Sequence, residues 1–189
     1  MKLYQNIVGG KGNGILTSLL VLGVVSCMSG CVSIKSSGVK SGKNMYETFF
    51  VGDEGTQYFI KPIAFSGEKT NRLVVDFTFR YKDKIKDSAV VNMSFINTEI
   101  IRDLDSLKIT NGLTSVVLTK IKTLFVERYQ KEYKSRFSTT GSLVDLNRLF
   151  HNNDWTITAY KQSTSSNYTA PKDTKKKINK LKDRIFMLF

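Results

Sequence analysis

The stretch Arg72–Tyr81, RLVVDFTFRY, alternates apolar and polar residues along its whole length. Leu73, Val75, Phe77, Phe79 and Tyr81 share one parity, and Val74, Asp76, Thr78 and Arg80 share the other. Successive strand side chains point to opposite faces, so the pattern predicts a strand with one buried face. The same period recurs in SAVVNMSFI, where Ala89, Val91, Met93 and Phe95 fall together, and in DWTITAYK, where Trp155, Ile157 and Ala159 do. A chain carrying several such segments close together has to bury them as a sheet.

The connections set the topology. YETFFV runs into Gly52-Asp53-Glu54-Gly55, a turn signal, and TQYFIKPIAF follows as a second strand. Pro62 has no amide to donate, which predicts an edge or a bulge there. A short strand is expected around Leu107 to Thr110, with Asn111-Gly112 as its hairpin turn. LTSVVLTKIKTLFVERY is predicted to be one long strand with a bulge or a change of face midway, and EYKSRFSTTG its hairpin partner. Ser142 opens SLVDLNRLFHN like a capping box, and Leu143, Leu146, Leu149 and Phe150 form a helical stripe. Short connections between sequential strands imply antiparallel pairing. The expected class is therefore all-β to α+β: one antiparallel, sandwich-like domain over residues 45–160 with a single short helix. Residues 161–189 are expected to be a polar linker followed by a basic amphipathic helix. In that helix Ile178, Leu181, Ile185 and Leu188 make the apolar stripe. Lys175, Lys176, Lys177, Lys180, Lys182 and Arg184 offer a basic surface for anionic lipid or another partner, unless the helix docks on the domain instead.

The N-terminus reads differently. MKLYQNIVGGKGNG carries Lys2 and Lys11 and no acid, and Ile15 to Val25 follows without a charge. That run is short of the roughly 20 residues needed to span a hydrocarbon core. It suits the apolar region of a secretory signal. Met28-Ser29-Gly30-Cys31 directly behind it resembles the lipobox of bacterial lipoprotein precursors, and Val24-Val25-Ser26-Cys27 resembles it too. The resemblance implies diacylglyceryl attachment to the cysteine thiol and removal of residues 1–30. Ser29 and Gly30 favour Cys31 as the lipidated residue, with Cys27 as the alternative. Residues 31–44, rich in Ser, Gly and Lys, would then be a lipidated tether. Val32 stands where an inner-membrane retention aspartate would be, so the resemblance leans towards the outer membrane where the cell has one.

Net charge then finds its context. The chain holds 29 Lys and Arg against 16 Asp and Glu, a formal +13, and residues 1–30 contribute only two of the lysines and none of the acids. Such a field attracts polyanions. Basic, aromatic stretches such as ERYQKEYKSRF could hold single-stranded nucleic acid, but export would take them to anionic lipid or envelope polymer instead. No metal centre is expected: Cys27 and Cys31 stand apart from the one histidine, His151, which is expected to cap a helix end or be solvated. No cofactor is expected beyond the covalent lipid. Catalytic motifs with fixed spacing are missing, and Asp53, Glu54, Asp103 and Asp105 lie in turn-like segments. These features favour a non-enzymatic envelope module bound to a protein or polyanionic partner. An exported hydrolase with dispersed carboxylates and a nucleic-acid binder are the alternatives.

Overall fold

A computed structural model describes residues 45–82 and 88–188. Ten strands form one sheet: β1 (Tyr46–Phe50), β2 (Thr56–Ser66), β3 (Arg72–Tyr81), β4 (Ser88–Asn97), β5 (Ser106–Thr110), β6 (Ser115–Leu118), β7 (Lys122–Tyr129), β8 (Glu132–Ser142), β9 (Thr156–Lys161) and β10 (Thr164–Thr169). Two helices complete the domain, α1 (Leu143–Phe150) and α2 (Lys172–Arg184). The strand order is β6-β5-β9-β10-β2-β3-β4-β8-β7, with β1 added alongside β2. Every pairing is antiparallel, as short sequential connections require. A single curled sheet, rather than two stacked ones, thus accounts for the sandwich-like patterning.

Two strands make the corners. In β2 the pairing moves from Ile60–Phe77 to Ile63–Val75, so one extra residue is accommodated at Lys61-Pro62. The bulge keeps both Ile60 and Ile63 in the core although their parities differ. The second corner lies between β6 and β7. The expected long strand is in fact two, because Lys120 adopts a φ of 52° and breaks the run. β6 pairs with β5 and β7 with β8, so chain neighbours occupy opposite ends of the sheet. The curl brings those ends back together: Thr139 Oγ1 donates to Thr119 O at 2.6 Å. Strands that bend and change partners are how a sheet turns such corners.

The alternating residues of β3 and β4 line the core as their parity predicts. Leu73, Val75, Phe77, Phe79, Ala89, Val91, Met93 and Phe95 are all buried. Trp155 sits at the centre with Phe150, Phe65 and Phe77 at 4.8, 6.2 and 6.3 Å between ring centroids. Ser142 caps α1 by accepting from Asp145 N. The far end of α1 is also satisfied. Asn111 Nδ2 donates to the carbonyls of Arg148 and Leu149, and Trp155 Nε1 to those of Leu149 and Asn152.

The C-terminal segment departs from expectation. Residues 162–171 are no linker: Thr164–Thr169 forms β10, paired with β9 over its whole length. Tyr168 and Ala170 are buried there. The serines and threonines hid this strand because only one of its faces, and mainly Tyr168, is covered. α2 then docks on the domain, burying Ile178 and Leu181, with Ile185 and Phe186 following in the terminal turn. Four buried side chains of this kind favour docking by roughly 6–12 kcal/mol before entropy is deducted. No helix among the described residues is long and apolar enough to cross a membrane.

Candidate functional site

The partner of β2 changes along its length. β1 pairs with it as far as Ile60, and β10 only at Thr169–Ser66. Between these points the carbonyls of Lys61, Pro62 and Ala64 face α2. Lys177 Nζ donates to Pro62 O at 2.8 Å and to Lys61 O at 3.3 Å, and Thr174 Oγ1 donates to Ala64 O at 2.5 Å. Burial pushes the Lys177 ammonium below the usual lysine range, and nearby Lys61 adds to the effect. This part of the basic helix therefore serves the sheet edge.

The other predicted lysines divide. Lys175 pairs with Asp154 at 2.6 Å, Lys176 lies 3.8 Å from Asp173, and Lys182 donates to His151 O at 3.2 Å. Lys180 and Arg184 are exposed. Of the six cations, Lys176, Lys180 and Arg184 are thus the exposed ones, spaced four residues apart along the helix. His151 is the exposed C-cap of α1, its Nδ1 lying 3.3 Å from Arg148 O. Met28, Ser29, Gly30, Cys31 and Cys27 lie outside the described residues.

Of the four acids singled out in the sequence, Asp53 lies exposed in the β1–β2 turn and Glu54, Asp103 and Asp105 tie neighbouring elements together. Glu54, in the β1–β2 turn, pairs with Arg80 on β3. Asp103 lies 3.5 Å from Lys161, and Asp105 accepts from Gln162 N at 2.5 Å, so residues 98–105 are fastened to the β9–β10 hairpin. The same connection is held from the other side. Ile101 N donates to Ser135 Oγ at 3.3 Å, and Thr123 Oγ1 to Arg102 O at 2.8 Å. On β3, β4 and β8, Asp76 is saturated by Arg136 and Asn92, at 2.9 and 2.8 Å.

What the frame encloses was not foreseen. β10 runs on past the end of β2, and beyond Thr169–Ser66 its edge faces the 67–71 turn and the 98–104 connection across a cavity of about 460 Å³. The turn contributes Lys69, Thr70 and Asn71, and the connection Glu99, Ile100, Ile101 and Leu104. Lys161, Gln162, Thr164 and Ser166 come from the hairpin. Two lining side chains are polar and buried: Asn97, 7% exposed, and Tyr168, 1% exposed. Asn97 Oδ1 has no hydrogen-bond partner among the described residues, and the Tyr168 phenol oxygen has none of ordinary distance and angle, the Asn97 side chain being its polar neighbour. Most buried polar atoms in proteins are paired, and these two, although their residues line the cavity, are shut off from solvent.

The Tyr168 ring is firmly placed. Phe95 meets it edge-on at 5.6 Å, and on another side Gly67 lets the backbone approach so closely that a Cβ there would lie 2.8 Å from Tyr168 Cε1. Burial raises the phenol above the ordinary tyrosine range, while hydrogen bonding with the Asn97 side chain acts in the opposite sense. Asn97 had a signal in the sequence, since it continues the inward parity of Ala89, Val91, Met93 and Phe95. Tyr168 had none, lying in a stretch of Ser, Thr and Asn without a visible period. Among the described residues no cluster of three or more His, Cys, Asp or Glu could hold a metal ion. No protein-family model, curated protein or solved structure matches this chain.

Proposed function

We propose that this chain is a cell-envelope lipoprotein, anchored by lipid on Cys31 and carrying a non-enzymatic binding module for an envelope partner. The observation that carries the reading is the order of apolar run, small residues and cysteine ending at Met28-Ser29-Gly30-Cys31. The first strand begins at Tyr46, so residues 32–45 separate it from the anchor and could span up to about 45–50 Å. That reach would let the domain meet a polymer lying off the bilayer. The charge outside residues 1–30 would hold the domain near anionic lipid or polyanionic polymer.

Binding is favoured over hydrolysis by the cavity. Its lining includes one carboxylate, Glu99, whereas carboxylate-based glycoside hydrolysis uses two across the scissile bond. Labelling cells with radioactive palmitate tests the anchor. Wild type and Cys27→Ser are expected to incorporate label and Cys31→Ser to lose it. Label lost only in Cys27→Ser would move the anchor to that residue, and an unlabelled wild type of full precursor mass would end the lipoprotein reading.

A further inference from the structure

We propose that the open edge of β7 is a self-association surface, to which a second copy of this chain adds its own β7 antiparallel, with the two-fold axis at Phe125. The inference goes beyond the function above and depends on neither the anchor nor the binding module.

β7 ends the strand path and pairs only with β8 among the described residues. Every residue from Lys122 to Tyr129 is exposed except Val126, which is half-buried. Leu124 and Phe125 keep 48% and 40% of their surface in solvent. Thr123 does reach Arg102 O, but it stands opposite the buried Phe137, so that contact lies on the core face and leaves the edge open. An open edge presents a row of backbone donors and acceptors that another strand can take up. Bulges commonly guard such edges. Here a single bulge at Leu124 leaves Phe125 to Tyr129 in regular register.

The bulge also selects the pairing. Opposite residues in an antiparallel ladder are of one hydrogen-bonding kind, so only residues of the same class can face each other across the axis. The shift between Thr123 and Phe125 puts Lys122, Phe125, Glu127 and Tyr129 in one class, and Thr123, Val126 and Arg128 in the other. An axis at Glu127 or Arg128 sets like charges opposite each other. An axis at Thr123 or Val126 brings no opposite charges together. With the axis at Phe125, Lys122 of each copy faces Glu127 of the other, and the two Phe125 rings meet.

Opposite-charge and aromatic pairs of this kind are what stabilise neighbouring strands. Lys122 has no ion-pair partner among the described residues. Lys134 holds the other side of the contact in place, lying 3.1 Å from Glu127 Oε1 and 5.4 Å from the Phe125 ring centroid. The ladder is short, so the interface falls below the roughly 1,200 Å² of stable complexes and should form in the micromolar range.

Sedimentation equilibrium of the full chain in detergent, across the micromolar range, tests this. The wild type is expected to dimerise reversibly. Lys122→Glu and Glu127→Lys should each weaken the dimer about tenfold, and the two exchanges together should bring it back to within about threefold of wild type. Both side chains are exposed, so all three variants should keep the wild-type unfolding midpoint. Association through the apolar N-terminal run or a shared micelle is indifferent to these exchanges. A wild type that stays monomeric, single exchanges that leave the dimer unchanged, or a double exchange that does not recover it would overturn the proposal.

Discussion

Along β2, where β1 ends and β10 has not yet begun, α2 covers the interval and Lys177 and Thr174 take the exposed carbonyls. A few residues on, where β10 runs past β2, Tyr168 and Asn97 line a cavity while their polar atoms are turned away from solvent and meet each other imperfectly. Both are breaks in the same ladder, yet only at the first do regular hydrogen bonds take up the polar groups. The contrast extends to the two buried asparagines. Asn111 uses all its capacity: Nδ2 donates twice, and Oδ1 accepts from Leu113 N and Thr114 N at 2.9 and 2.8 Å. Asn97 leaves its oxygen unused. The fold satisfies the buried amide of Asn111 fully and that of Asn97 only in part.

The largest expected effect separates the two asparagines. Asn111→Ala strands the end of α1 and the β5–β6 turn together, and should destabilise by about 3–4 kcal/mol in urea unfolding. Asn97→Ala should stay within about 1 kcal/mol, since its oxygen bonds to nothing. Equal losses would erase the distinction. The sealed break comes next. Thr174→Val leaves Ala64 O unpaired and should cost about 1–2 kcal/mol, with Thr174→Ser restoring most of it, as read by the unfolding midpoint. A neutral Thr174→Val would mean that α2 covers the edge by packing alone.

The smallest effect concerns pH. Tyr168 ionises at its ordinary 10.0 when unfolded and above that when folded. The folded state therefore holds the proton more tightly, and the stability tied to it is complete below pH 10. It falls as pH rises through the raised native value. The difference in stability between wild type and Tyr168→Phe should accordingly be flat up to pH 10 and shift against wild type above it. A flat difference throughout would place the phenol in solvent.

Much of the framework could be read from period alone. The parities of β3, β4 and β9, the cap at Ser142, the Asn111-Gly112 turn and the bulge at Pro62 each have a local chemical cause, and local causes are visible in sequence. The sites of long-range closure were not. Nothing near Lys120 announces a positive φ, because the bend answers to partners at opposite ends of the sheet. β10 escaped notice because a strand covered mainly through one tyrosine carries almost no period. The cavity is a product of where β10 ends relative to β2, a register that no single segment encodes. As for α2, its apolar stripe was legible, but whether domain or membrane would cover it depended on the open edge of β2.

The bend at Lys120 also bears on how the domain can assemble. β5–β6 and β7–β8 are local hairpins on either side of it, each closed by a short turn. Because they are joined by only three residues, Thr119 to Ile121, the first and last strands of the nine-strand path never have to find each other through space. Loop closure is entropically cheapest between near neighbours in the chain. The step that rolls up the sheet is then a rotation of two preformed hairpins about one residue, and the slow search falls elsewhere, to β9 and β10, which must insert between β5 and β2 from far along the sequence.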